Sequence, residues 1–144
     1  MLSKLFTRFD KLCLQYSVYK VHTIGDCYVV MGYMDKNNRN ITQECKNVVK
    51  FAFSMIDTID EVNQLQNCEL NMRIGIHTGI VIAGVTGTQI VRYDIYGPDV
   101  LIANKMESQG EAGRINVSDI TKEILEKDSP DLYQFEENCI VEAQ

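Results

Sequence analysis

A chain of 144 residues with 45% hydrophobic content has the material for one domain with a real core. Its net charge of −6 excludes broad nucleic-acid binding, which needs a basic face, but not the binding of one nucleotide whose phosphates a metal ion neutralises. Five cysteines, an odd number with no CxxC pair, exclude a disulfide framework and a zinc site and read as reduced thiols.

Leu2, Leu5, Phe6, Phe9, Leu12, Cys13 and Tyr16 recur at helical spacing and predict an amphipathic helix over 2–16. A β-hairpin follows over 18–33. Its two β-prone runs flank Gly25-Asp26, a tight-turn dipeptide that holds one carboxylate at the hairpin tip. Such a carboxylate is a hard ligand suited to Mg2+, although most Gly-Asp hairpins are only turns. The polar run 34–40 reads as a surface loop. A second amphipathic helix runs from Thr42, a candidate N-cap, through Val48, Phe51, Met55, Ile59, Val62 and Leu65.

Residues 70–77 alternate apolar and polar side chains, Thr78-Gly79 turns the chain, and 80–85 returns, so a second hairpin is expected. A short strand over 91–96 precedes a helix across 99–109, with Pro98 at its start and Gly110 past its end. Residues 114–117 form a strand, Ser118 caps a helix to Lys127, and 132–135 form a last short strand. One α+β domain results, with a mostly antiparallel sheet and helices on one face. No run reaches the ~20 apolar residues of a membrane span, and no signal peptide precedes the domain.

The blocks LFTRFDKLCLQYSVYKVHTIGDCYVVMG, MRIGIHTGIVIAGVTG and YDIYGPDVLIANKMESQGEAGRINVS, in this order, resemble the class III adenylate and guanylate cyclase catalytic domain. The likeness runs from about Leu2 to Leu132. It implies a ferredoxin-like βαββαβ core over 1–144, truncated at the N-terminal strand, that works as a dimer. It also implies conversion of a purine nucleoside triphosphate to the 3′,5′-cyclic nucleotide and pyrophosphate, with two Mg2+ or Mn2+ ions at the dimer interface. Two-metal phosphoryl transfer needs carboxylates on the ions and a forked cation on the phosphates.

Carried onto this sequence, Asp26 in IGDCY matches the second metal aspartate, with Gly25 and Cys27 beside the nucleotide. The first metal aspartate sits in a strand reading FADIxxFT ahead of the first helix, and that strand is absent here. The family's VNxASR becomes VLIANK, so Leu101 stands at the asparagine position and Lys105 at the arginine position. Leucine cannot bind the ribose, and lysine keeps the charge without the fork. Leu101 is expected in the core, and Lys105 as a surface or interface charge. The base-reading positions hold His22 and Asp94. Asp94 is adenylate-like and His22 fits neither pattern, while VYKVHTIGDCY as a whole leans to guanylate cyclase and hence to GTP over ATP.

The resemblance thus implies the metal-bearing half of a heterodimeric or tandem cyclase. Its partner is a complementary cyclase domain, with self-association in isolation. It implies a cytoplasmic domain of a larger membrane protein, itself touching neither membrane nor nucleic acid. The non-enzymatic alternative is a degenerate cyclase-homology domain that pairs with a catalytic partner and regulates it. A ferredoxin-like RNA binder is disfavoured, because no exposed RNP aromatics and no basic sheet face are visible. Arg73 reads as structural, His77 as packed or at the surface, and Asp99 as an electrostatic support for the helix start.

Overall fold

The computed structural model describes residues 2–24, 27–32, 40–79, 82–86 and 92–136. Helix α1 (Leu2–Tyr16) buries Leu5, Phe9 and Cys13, one every four residues, against helix α2 (Ile41–Gln66). Helix α2 is the spine of the fold. Its buried stripe of Cys45, Val49, Ala52, Met55, Ile59 and Val62 anchors the hydrophobic core. The Ser54 hydroxyl donates to the Tyr16 hydroxyl at 2.6 Å and ties the two helices at one end. Arg8 pairs with Glu61 at the other.

The start of α2 differs from expectation by one turn-defining residue. Asn40, not Thr42, is the N-cap, and its side-chain oxygen accepts from the Gln43 backbone N–H at 3.0 Å. Asparagine and threonine both cap, and the run of periodic residues does not say which of two candidates two positions apart wins. Asn67 closes the helix in the left-handed conformation at φ 51°.

Strands β1 (Tyr19–Ile24) and β2 (Cys27–Met31) form the expected first hairpin, with Ile24 opposite Cys27. Register shifts between Lys20 and His22, so Val21 forms a β-bulge immediately before His22. Among the described residues the expected second hairpin is not formed. Strand β3 (Ile74–Ile76) pairs in parallel with β6 (Ile115–Val117), and β4 (Ile82–Thr86) pairs antiparallel with β5 (Arg92–Tyr96). The turn-like Thr78-Gly79 separates two β-prone runs, but tertiary packing assigns each run a different partner.

Helix α3 (Pro98–Ser108) lies across β3, and α4 (Asp119–Asp128) packs on α2. The short strand expected over 132–135 is absent. Tyr133 instead stacks on Phe53 of α2, ring centroids 6.1 Å apart, and contacts Phe135 edge-on. The α+β class and the helix-packed sheets stand as read, in three two-stranded pieces among the described residues.

Candidate active site

The bulge in β1 and the short hairpin end decide what the first hairpin can present. His22 is half-buried just past the bulge, where the local twist re-aims its side chain. Cys27, exposed, opens β2. Gly25 and Asp26 lie outside the described residues, between the paired Ile24 and Cys27. Asp94 sits in mid-β5 opposite Gly84, and its side chain is outside those described. Strand β1 lies beside β5, so His22 and Asp94, the two positions expected to read the base, fall on neighbouring strands.

Helix α3 carries the other two positions. Leu101 is 56% exposed, which overturns its expected place in the core. The physical reason is that α3 turns only Met106 fully inward, and Leu101 is on the opposite side of the helix. Lys105 follows one turn later and is half-buried. Among the described residues, no group of three or more His, Cys, Asp or Glu could hold a metal ion. The residues described therefore do not by themselves fit a two-ion centre.

A groove of about 1190 Å3 runs between β2 and β3 and is floored by α2. Residues 27–32 line one wall and residues 70–79 the other, yet β2 and β3 do not pair with each other. Phe51, Ala52 and Met55 make its floor apolar.

One end of this groove is polar and was missed by reading the sequence. His77, with a side chain 4% exposed, places Nε2 at 2.8 Å from Asp99 Oδ1 and Nδ1 at 2.7 Å from Ser118 Oγ. The line continues from Ser118 Oγ to Thr121 Oγ1 (3.2 Å), to Thr78 Oγ1 (2.8 Å) and to Cys45 Sγ (3.3 Å). Burial pushes the Cys45 thiol up, against the Thr78 hydrogen bond, so it stays an S–H donor. His77 is packed, as expected, and Asp99 bonds a side chain as well as opening the helix. These residues sit just past β3, on α2 and α3 and at the start of α4, and no linear spacing announces their meeting. Arg73, read as structural, pairs with Glu107 of α3 at 3.1 Å.

Against known proteins, the model for the adenylate and guanylate cyclase catalytic domain matches residues 1–143. A guanylate cyclase of Toxoplasma gondii is 43% identical over 146 residues, covering 98% of this chain and 3% of that protein. Adenylate cyclase type 9 of Xenopus laevis is 34% identical over 142 residues, covering 99% of this chain and 10% of that one. The crystal structure of the guanylate cyclase domain of RhGC from Catenaria anguillulae in complex with GTP superposes with a TM-score of 0.77 at 34% identity. The match covers 86% of this chain and 66% of that one. The chain thus spans a small part of its curated relatives and about two thirds of the solved domain. No helix among the described residues is long and apolar enough to cross a membrane.

Proposed function

Because this chain belongs to the family of adenylate and guanylate cyclase catalytic domains, we propose that it is the metal-carboxylate half of a purine nucleotide cyclase, completed by a second, different cyclase domain. The ribose 3′-hydroxyl attacks the α-phosphorus of the same nucleotide, pyrophosphate leaves, and the 3′,5′-cyclic nucleotide forms. GTP is the preferred substrate and ATP the alternative. The reading draws support from the IGDCY hairpin and from the GTP held by the solved Catenaria anguillulae domain. Asp26 is assigned as one carboxylate of a divalent-cation site, Mg2+ or Mn2+. Gly25, Cys27, His22 and Asp94 are assigned to the nucleotide's surroundings.

The observation that carries the half-site reading is Leu101. An exposed leucine at the family's asparagine position offers no hydrogen bond to a ribose, but it offers apolar surface to a partner. Lys105 keeps a charge without the guanidinium fork. The missing donors would then come from the partner domain. One carboxylate is a poor grip on two hard cations, so the site also needs a second. The groove between β2 and β3, which pair with other strands and not with each other, suits an added extended segment that carries it. In a longer parent protein the domain would sit in the cytoplasm beside a membrane.

The test mixes this domain, extended by its native upstream strand, with a complementary cyclase domain, and supplies Mn-GTP and Mn-ATP separately. The chain alone is expected to be inactive. The pair is expected to turn over GTP faster than ATP, and Asp26→Ala to lower turnover at least about 100-fold, the scale on which lost transition-state charge stabilisation is felt. A formed heterodimer that turns over neither nucleotide would favour the regulatory reading, to which the replaced asparagine and arginine already lend weight. Activity retained in Asp26→Ala would remove Asp26 from the metal site.

A further inference from the structure

Helix α3 is secured in an uneven way. Met106, in its last turns, is its one buried residue, and Gly97 before it gives no side-chain cap. At that C-terminal end the backbone of α3 rests directly on β3. A Cβ on Gly75 would meet Glu107 N at 2.1 Å. The Asn116 amide adds a hydrogen bond to the Met106 carbonyl at 2.8 Å. The N-terminal half, which carries Leu101, buries no side chain. Val100, Ile102 and Ala103 there are half-buried, and the 4%-exposed ring of His77 reaches the same half through Asp99. Gly79 makes room for this contact, since a Cβ there would lie 2.1 Å from the Asp99 carboxyl carbon.

With a neutral imidazole the hydrogen bonds have one self-consistent direction. A carboxylate only accepts, so His77 Nε2–H donates to Asp99. In that tautomer Nδ1 accepts from the Ser118 hydroxyl. Ser118 accepts from Thr121, Thr121 from Thr78, and Thr78 from the Cys45 thiol. Each hydroxyl gives one hydrogen and takes one, with nothing left over. Low local dielectric makes such a filled chain stiff and makes a gap in it costly.

We propose that His77 is a positioning residue: held in its Nε2–H tautomer by the Ser118–Thr121–Thr78–Cys45 chain, it latches Asp99 and so fixes the N-terminal half of α3, with Leu101, against the end of β3. Its catalytic consequence rests on the cyclase reading above, in which α3 faces the partner domain and the nucleotide. The latch itself does not.

The experiment therefore has two arms. In the first, nitrogen-15 spectra of the full chain report the His77 tautomer, and amide hydrogen exchange reports α3 and α2 separately. Asp99→Ala, which removes the acceptor, His77→Phe and the double variant are compared with the parent. We expect the Nε2–H tautomer in the parent. We also expect α3 amides between 99 and 105 to exchange about tenfold faster or more in each single variant, as loss of a hydrogen bond to a charged group implies, with α2 unchanged. The double variant should be no worse than the worse single one, because both remove the same link. An Nδ1–H tautomer, an unchanged α3, or equal losses in α2 and α3 would each overturn the latch. Should His77→Phe fail to fold, Asp99→Ala at a 28%-exposed carboxylate still decides the matter. In the second arm, Asp99→Ala paired with the complementary domain should lose turnover about tenfold with its α2 exchange unchanged, as a displaced site element does. Unchanged turnover in an active pair overturns the catalytic consequence. Absence of turnover in the parent pair removes the cyclase reading and leaves the latch to the first arm.

Discussion

Tyr28 shows how one side chain can fasten a hairpin to a helix. Its ring lies edge-on to Phe6 and Phe9 of α1, and its hydroxyl donates to Asp10 Oδ1 at 2.5 Å while lying 3.4 Å from Cys13 Sγ. Burial pushes the Tyr28 hydroxyl far above the ordinary tyrosine range, and its bonds to Asp10 and Cys13 push the same way. Asp10 is drawn the other way. Burial alone would raise its carboxyl, but the Tyr28 hydroxyl and Lys20, 3.0 Å away, hold it below the usual carboxylate range. The sign for stability follows from linkage. A group whose folded pKa is raised contributes fully below the unfolded value. The contribution is lost above about pH 10, where the unfolded chain ionises its tyrosine and the folded one does not. Tyr28→Phe should cost about 1 kcal/mol near neutrality through the lost hydrogen bond. It should also remove about 1 kcal/mol of the stability that the parent loses between pH 10 and 11. Urea titrations of both proteins at neutral pH and across that range check this. An equal alkaline loss in parent and variant would deny Tyr28 the role.

At the scale of elements, the long helices were legible in the sequence and the contacts that aim them were not. The 3.6-residue spacing in α1 and α2 appears as buried stripes in the structure, because the face that repeats is the face that packs. Helix α3 has no such stripe, and its bounds came instead from Pro98 and Gly110. That is why Leu101 departs from expectation: an apolar residue in a helix reads as core, but α3 is seated by the close approach of its backbone to Gly75 rather than by its own pattern. Gly75 is required for space, not for conformation. Gly75→Ala puts a methyl group into the backbone of α3 at Glu107 and Met106, where no flexible side-chain end can move aside. We expect a loss of about 3 kcal/mol, the upper range for overpacking, measured as a lower denaturation midpoint with an unchanged slope. A cost under about 0.5 kcal/mol, the level of an ordinary surface change, would mean that α3 stands off β3.

For the whole molecule, pairing between distant segments is what the sequence could not disclose. Strand β3 finds β6 some forty residues on, and the two are parallel, so no turn between them signals the match. Hairpins are readable because their partners are neighbours, as β1 and β2 are. The His77 latch belongs to the same class of hidden feature, since it forms only after β3, α3 and α4 have met. The family blocks were legible because order and spacing survive where pairing cannot be seen. The same logic applies to assembly. Leu101 is exposed and contributes little to the fold, so Leu101→Asp should leave the melting temperature unchanged, as surface substitutions do. If α3 meets a complementary domain through this leucine, the charge buried there weakens association about tenfold or more, the scale of a well-packed interface residue. Sedimentation velocity of the mixed domains, with melting followed alongside, separates the two effects. Weakened association at constant melting temperature places the partner on α3. Unchanged association moves the partner to another face and removes Leu101 from the half-site reading.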